Sequence, residues 1–156
     1  MKLESLKEIA IGLGFVAVQI VLFRHLKFYG TQPDIVLVYV LWIMARRDRT
    51  TAILFAFGLG FVQDALLDTW GLNMFAKTAI AFFAFSFIPK LSEIRLLVWQ
   101  VFLTILGVSL VHNLLYLALS SITGAYATDL FFWRLWLGNS LYTAVVGSFI
   151  YLFNND

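Results

Sequence analysis

Six apolar runs follow one another along this chain with almost nothing between them. They cover residues 9–23, 35–45, 51–67, 72–88, 96–122 and 130–153. A bilayer's hydrocarbon core takes roughly 20 residues of helix to cross, so six crossings would use about 120 residues. The chain has 156 residues, which leaves room for short loops only and none for a soluble domain. The breaks between runs are equally informative. Arg24, His25 and Lys27 close the first run, Pro33 and Asp34 open the second, and Arg46, Arg47, Asp48 and Arg49 end it. Pro89 ends the fourth, and a loop around Gly124 and Asp129 precedes the sixth. The expectation is an all-α polytopic membrane protein, a single domain over residues 1–156 built as a bundle of six transmembrane helices.

Composition agrees: 62% of residues are hydrophobic and 13% charged, with mean hydropathy +0.89. Soluble domains run near 50% apolar and roughly 25% charged. The second run has the weakest claim to cross, because 11 uninterrupted apolar residues make only about 16 Å of helix. It is expected to be the shortest and most tilted span, or to dip in and return. Lys and Arg orient the chain, since cytoplasmic loops carry the excess. With both termini inside, Lys2, Lys7, Arg46, Arg47, Arg49, Lys90 and Arg95 face the cytoplasm, and Arg24, Lys27 and Arg134 the exterior. An N-terminus outside with a non-crossing second run gives the same balance and leaves the last four spans unchanged.

Small residues mark where membrane helices approach one another. Ala52, Ala56, Gly60 and Asp64 share a face of the third run, and Asn73, Lys77, Ala81 and Ala84 one of the fourth. The sixth carries Asn139, Thr143 and Gly147 beside Ser140, Ala144 and Ser148; the first carries Ala10 and Gly14. Asp64 and Lys77 sit at matching depths on either side of a short turn. An unpaired charge there costs about 2.5–3.5 kcal/mol even on the mildest scale, so the two are expected to pair. The pair reads either as a clamp between neighbouring helices or as the lining of a substrate or proton path. Asp34, Asn73, Lys77, Asp64, His112, Asn113, Asp129, Arg134 and Asn139 all fall toward the outer rim or outer half. That pattern reads either as a shallow cavity or partner site open to the exterior or as interfacial depth that simply tolerates polar groups.

Enzyme signatures are missing from the sequence. Two histidines, His25 and His112, form no metal-spaced set, and Gly12, Gly14, Gly58 and Gly60 lie inside apolar runs rather than in a phosphate-cradling loop. With no cysteine there can be no disulfide or thiolate metal site. No cofactor is expected, and the basic residues are too scattered for nucleic acid.

The middle of the chain resembles the bacterial rod shape-determining protein MreD family. The resemblance rests on Pro33-Asp34 opening an apolar run, the basic patch at 46–49, and FGLGFVQDALLDTWGLNMF at 57–75. In that family a glycine-rich span (here Gly58, Gly60) ends in Gln-Asp (Gln63-Asp64), and a Gly-Leu-Asn turn follows (Gly71, Leu72, Asn73). The match is specific over residues 33–89 and rests on hydropathy elsewhere. It implies a non-enzymatic component of the elongation machinery in the cytoplasmic membrane. Such a protein would bind the bitopic protein MreC and link the MreB filament to RodA and a class B transpeptidase of peptidoglycan synthesis. The family is also similar in fold to the substrate-binding S components of ECF transporters. The alternative reading is therefore a transport component with a ligand cavity in the outer half. Pro33, Asp34, Gly58, Gly60, Gln63, Asp64, Gly71, Asn73, Lys77, His112 and Asn113 are the candidate structural or partner residues, with membrane lipid around them. Ala10, Gly14 and Gly147 are the positions where bulk should disturb a lateral partner.

Overall fold

A computed structural model of the protein describes residues 2–23, 25–27, 29–90, 96–122 and 132–153. Helix α1 (Lys2–Val18) continues into a π-helical turn (Gln19–Phe23); then follow α2 (Ile35–Arg46), α3 (Arg49–Leu67), α4 (Leu72–Phe83) with a 3-10 turn (Phe85–Phe87), and α5 (Val98–Ile122). A π-helical segment (Arg134–Gly138) leads into α6 (Asn139–Phe153). Among the described residues, four stretches are long and apolar enough to cross a membrane: Glu4–Phe23, Arg49–Leu67, Val98–Ile122 and Arg134–Phe153. The chain is a multi-pass helical membrane protein. Asp129, Arg24 and Arg95, which the sequence reading used, lie outside the described residues.

The helix with the weakest claim to cross is the hub of the bundle. From Ile35 to Ala45 every residue of α2 except Trp42 is buried, and α2 touches each of the other five helices. A helix that is apolar all round belongs in a core. The hairpin of α3 and α4 packs on one side of it and that of α5 and α6 on another, with α1 laid across α2 and α3. Twelve residues give about 18 Å of helix, against a hydrocarbon core of about 30 Å. So α2 begins inside the bundle, and the chain entering it is irregular backbone surrounded by protein. Backbone at membrane depth is tolerated only where protein or a water-filled cavity satisfies its polar groups.

Two expected boundaries moved. The α-helix of the fourth run ends at Phe83, which makes α4 as short as α2 at 12 residues each. Pro89 has no N–H to offer the Phe85 carbonyl, and its ring crowds that position, so the segment tightens to a 3-10 turn. Helix α1 begins at Lys2 rather than at Ile9. Its charged first turns are held by Arg47, 2.8 Å from Glu8 and 3.5 Å from Glu4, and by the Tyr39 hydroxyl, which donates to the Glu8 carbonyl at 2.6 Å. At the start of α3, Asp48 accepts from the Thr51 hydroxyl and amide at 2.7 and 3.1 Å. Those bonds hold its carboxyl below the usual carboxylate range.

Candidate functional site

The start of α2 is where the candidate residues converge. Four consecutive residues lead into the helix, and side chains from neighbouring helices serve their backbone groups. The Gln32 amide donates to Asn139 Oδ1 at 3.0 Å and the Asp34 amide to Thr143 Oγ1 at 2.9 Å, both on α6. Gln19, in the π-turn after α1, donates to the Pro33 carbonyl at 2.6 Å and accepts from the Ile35 amide at 2.8 Å. Asp34 caps the helix, Oδ1 accepting from the Leu37 amide at 2.9 Å. Pro33, with no N–H of its own, removes one donor that would otherwise need a buried partner.

The other oxygen of Asp34 meets the most buried charged side chain among the described residues. Lys77 on α4 is fully buried, and its Nζ lies 2.6 Å from Asp34 Oδ2 and 3.1 Å from Asn73 Oδ1. The expected partner was Asp64, and this is corrected: Lys77 pairs with Asp34. Asp64 instead caps α4. Its carboxylate accepts from the Asn73 and Met74 amides at 3.0 and 2.8 Å, from Asn73 Nδ2 at 3.0 Å, and from the Thr69 hydroxyl. Four donors at a positive helix end satisfy an anion without a cation. Asn73 joins the two systems, giving its Nδ2 to Asp64 and its carbonyl oxygen to Lys77. Asp64 and Lys77 are thus linked through one side chain, the amide one turn from Lys77, rather than directly.

Gly60 permits this arrangement. A Cβ on Gly60 would stand 2.6 Å from Met74 Cα and 2.9 Å from Met74 N, so α3 and α4 meet backbone to backbone where Asp64 reaches the α4 amides. Gly71, at φ +86°, supplies the left-handed turn residue immediately before α4. Gly58 has open space where a Cβ would be and takes no part. Gln63 is buried beside Asp64, and its Oε1 has no hydrogen-bond partner among the described residues.

On α5, His112 Nε2 stands 4.0 Å from Asp34 Oδ2, beyond hydrogen-bond reach, while its Nδ1 lies 3.4 Å from Asn113 Oδ1. Asn113 Nδ2 donates to Ser140 Oγ on α6 at 2.9 Å. His112 Nε2 and Ser109 Oγ are buried without partners among the described residues. The network thus takes side chains from α1's extension, from Asp34 at the head of α2, and from α3, α4 and α6, with His112 of α5 standing beside it. Its chemical effect is to hold an irregular backbone segment and two carboxylates in apolar surroundings. The sequence reading missed Gln19, although it is the one polar side chain in the run 9–23. It placed Asn139 and Thr143 in a packing stripe, whereas both also bond the α2 entry.

The cavity foreseen by the transport alternative belongs with these polar groups. A cavity of about 250 Å³ lies instead toward the opposite end of α2, near Arg46, with a mostly apolar lining. The stripes divide in the same way. Gly147 is an internal contact, since a Cβ there would meet Ile105 Cδ1 at 2.7 Å and Val38 Cγ2 at 3.0 Å. Ala10 and Gly14 face outward from α1, with nothing near Gly14 within 4 Å.

A family model for rod shape-determining protein MreD matches residues 6–155. No curated protein and no solved structure matches the chain.

Proposed function

We propose, from the premise that this chain belongs to the rod shape-determining protein MreD family, that it acts as a non-enzymatic membrane component of the rod-shape and cell-elongation machinery. In this reading it sits in the bacterial cytoplasmic membrane with both termini inside, as the Lys/Arg balance favours. It binds an MreC-like bitopic partner through helix faces. Through that partner it connects to the MreB filament, RodA and a class B transpeptidase, and supports peptidoglycan synthesis along the side wall.

The observation that carries the reading is a family match extending over nearly the whole chain rather than one motif. The geometry supports a scaffold role. Lys77, Asp34, Asp64 and Asn73 are engaged with one another and with helix ends, which is what a rigid platform needs. The outward Ala10 and Gly14 would let a partner helix approach α1 closely.

The test is affinity purification in mild detergent from cells carrying the tagged protein. An MreC-like protein should accompany the wild type, and Gly14→Leu or Ala10→Trp should reduce its recovery several-fold while the chain still elutes as folded protein. Recovery of an ATPase module instead, or turnover of a lipid-linked precursor by the purified chain, would overturn the proposal.

A further inference from the structure

The cavity near Arg46 has features that point to one occupant. Helix α1 packs on α2 and α3, while α5 and α6 pack on each other and on α2. Between these two blocks α2 forms the floor of a groove, with Ile11 and Phe15 on the α1 wall and Thr104, Ile105 and Ile150 opposite. Arg46 stands at its end, where α2 finishes.

The lining hydroxyls already have acceptors: Tyr39 in the Glu8 carbonyl, Thr104 in that of Gln100, Tyr151 in that of Leu96. Among the described residues, what remains for an occupant is apolar surface plus the Arg46 guanidinium. Neighbouring basic groups are committed elsewhere: Arg47 to Glu8 and Glu4, Lys90 to the Met44 and Arg47 carbonyls, and Arg49 to the Phe82 carbonyl. The Arg46 guanidinium lies 4.3 Å from the centroid of the Trp42 ring, has no salt bridge among the described residues, and is exposed at the end of the groove it helps to line. Charge and lining together select among apolar occupants: an aliphatic and aromatic groove with an exposed guanidinium at its end matches an acyl chain lying along the lining and a phosphate at Arg46.

We propose that this groove binds one acyl chain of an anionic phospholipid, with Arg46 taking the phosphate-bearing headgroup. The site is independent of the partner reading above. It is a lateral lipid site at the end of the bundle where Arg46, Arg47 and Arg49 gather.

The experiment is native mass spectrometry of the full chain released from nanodiscs of equal phosphatidylglycerol and phosphatidylcholine. The wild type should retain one lipid, favouring phosphatidylglycerol about fivefold, the effect of one basic residue at an anionic surface. Arg46→Gln should bring the ratio close to one, whereas Arg49→Gln, whose guanidinium already has a carbonyl, should leave it unchanged. Thr104→Trp should reduce retention of both lipids several-fold; Ile11→Trp, on the outward-facing wall, serves the same purpose if that variant does not fold. Release without lipid, equal retention of the two headgroups by the wild type, or a preference that follows Arg49 would overturn the site. So would a photocrosslinker at Thr104, on the wall away from α1, that captures a protein helix in cells rather than lipid.

Discussion

The two ends of α2 solve the same problem in opposite ways. A buried helix leaves amides unpaired at its start and carbonyls unpaired at its finish. At the start, Gln19, Asn139, Thr143 and Lys77 converge on residues 32–35 from three other elements, and a buried ion pair completes the cap. At the finish one flexible side chain is the donor, Lys90 reaching the Met44 and Arg47 carbonyls at 2.6 and 3.3 Å, while the Arg47 amide serves the Ile43 carbonyl at 2.8 Å. The first end lies among buried residues and the second beside the exposed Arg46 and Arg49. Depth decides the difference: a backbone group near water can fall back on water, whereas one inside the bundle needs a protein partner. The comparison predicts that equivalent losses at the two ends will differ sharply in size.

The largest effect belongs to Lys77. Removing it leaves the Asp34 carboxylate, whose side chain is 15% exposed, without its cation. Breaking a fully buried pair costs about 3–5 kcal/mol; partial exposure puts this loss toward the lower end, and replacing both partners is often far milder. Lys77→Met should therefore unfold in mixed detergent micelles at much lower denaturant than wild type, and adding Asp34→Asn should recover much of the loss. Asparagine keeps the cap of α2. A Lys77/Asp64 cycle should show weaker coupling, because Asn73 stands between them. Stronger coupling to Asp64 than to Asp34 would contradict the arrangement described here.

That correction shows what was legible in the sequence. The runs and their polar breaks could be read from spacing, and so the helices, and the meeting of Asp34, Asp64, Asn73 and Lys77 in one cluster, were within reach of the sequence. The partner of Lys77 could not. Two carboxylates, Asp34 and Asp64, lay within plausible reach, and the choice depended on α4 beginning immediately beside Asp64. Its amides neutralise one anion and free Lys77 for the other. Gly58 and Gly60 carry the same lesson, being alike in sequence and different in role. Only the crossing of α3 on α4 shows that Gly60 faces Met74 and Gly58 faces nothing. The weakest span proved to be the hub for a related reason: shortness measures how far a helix reaches, whereas burial depends on how many neighbours surround it.

Gln19 probes the deep end without involving a charge. Gln19→Leu would keep much of the side chain's bulk and leave the Pro33 carbonyl and Ile35 amide without the partner each now has. A buried polar group stranded in this way costs about 1–3 kcal/mol. The variant should unfold more readily than wild type, and hydrogen exchange at Ile35 should accelerate before exchange at Leu41 in the same helix. Uniform acceleration along α2 would mean that the entry is not a separate unit, and that Gln19 acts through general packing.

The smallest effect is expected at the other end, and it tests the comparison most directly. Lys90→Met removes two hydrogen bonds to carbonyls and a cation 3.6 Å from the centroid of the Phe85 ring, contacts that resemble those of Lys77 in number. If contact number governed stability, the two lysines would matter about equally. If depth governs it, the Met44 and Arg47 carbonyls will take water in place of Lys90. The loss should then fall to about 0.5–1.5 kcal/mol, the net value of an ordinary hydrogen bond. The same unfolding titration, run on Lys77→Met and Lys90→Met side by side, separates these cases. A Lys90 variant as damaged as the Lys77 variant would place the Arg46 end of α2 out of reach of water, and would remove the distinction between the two ends.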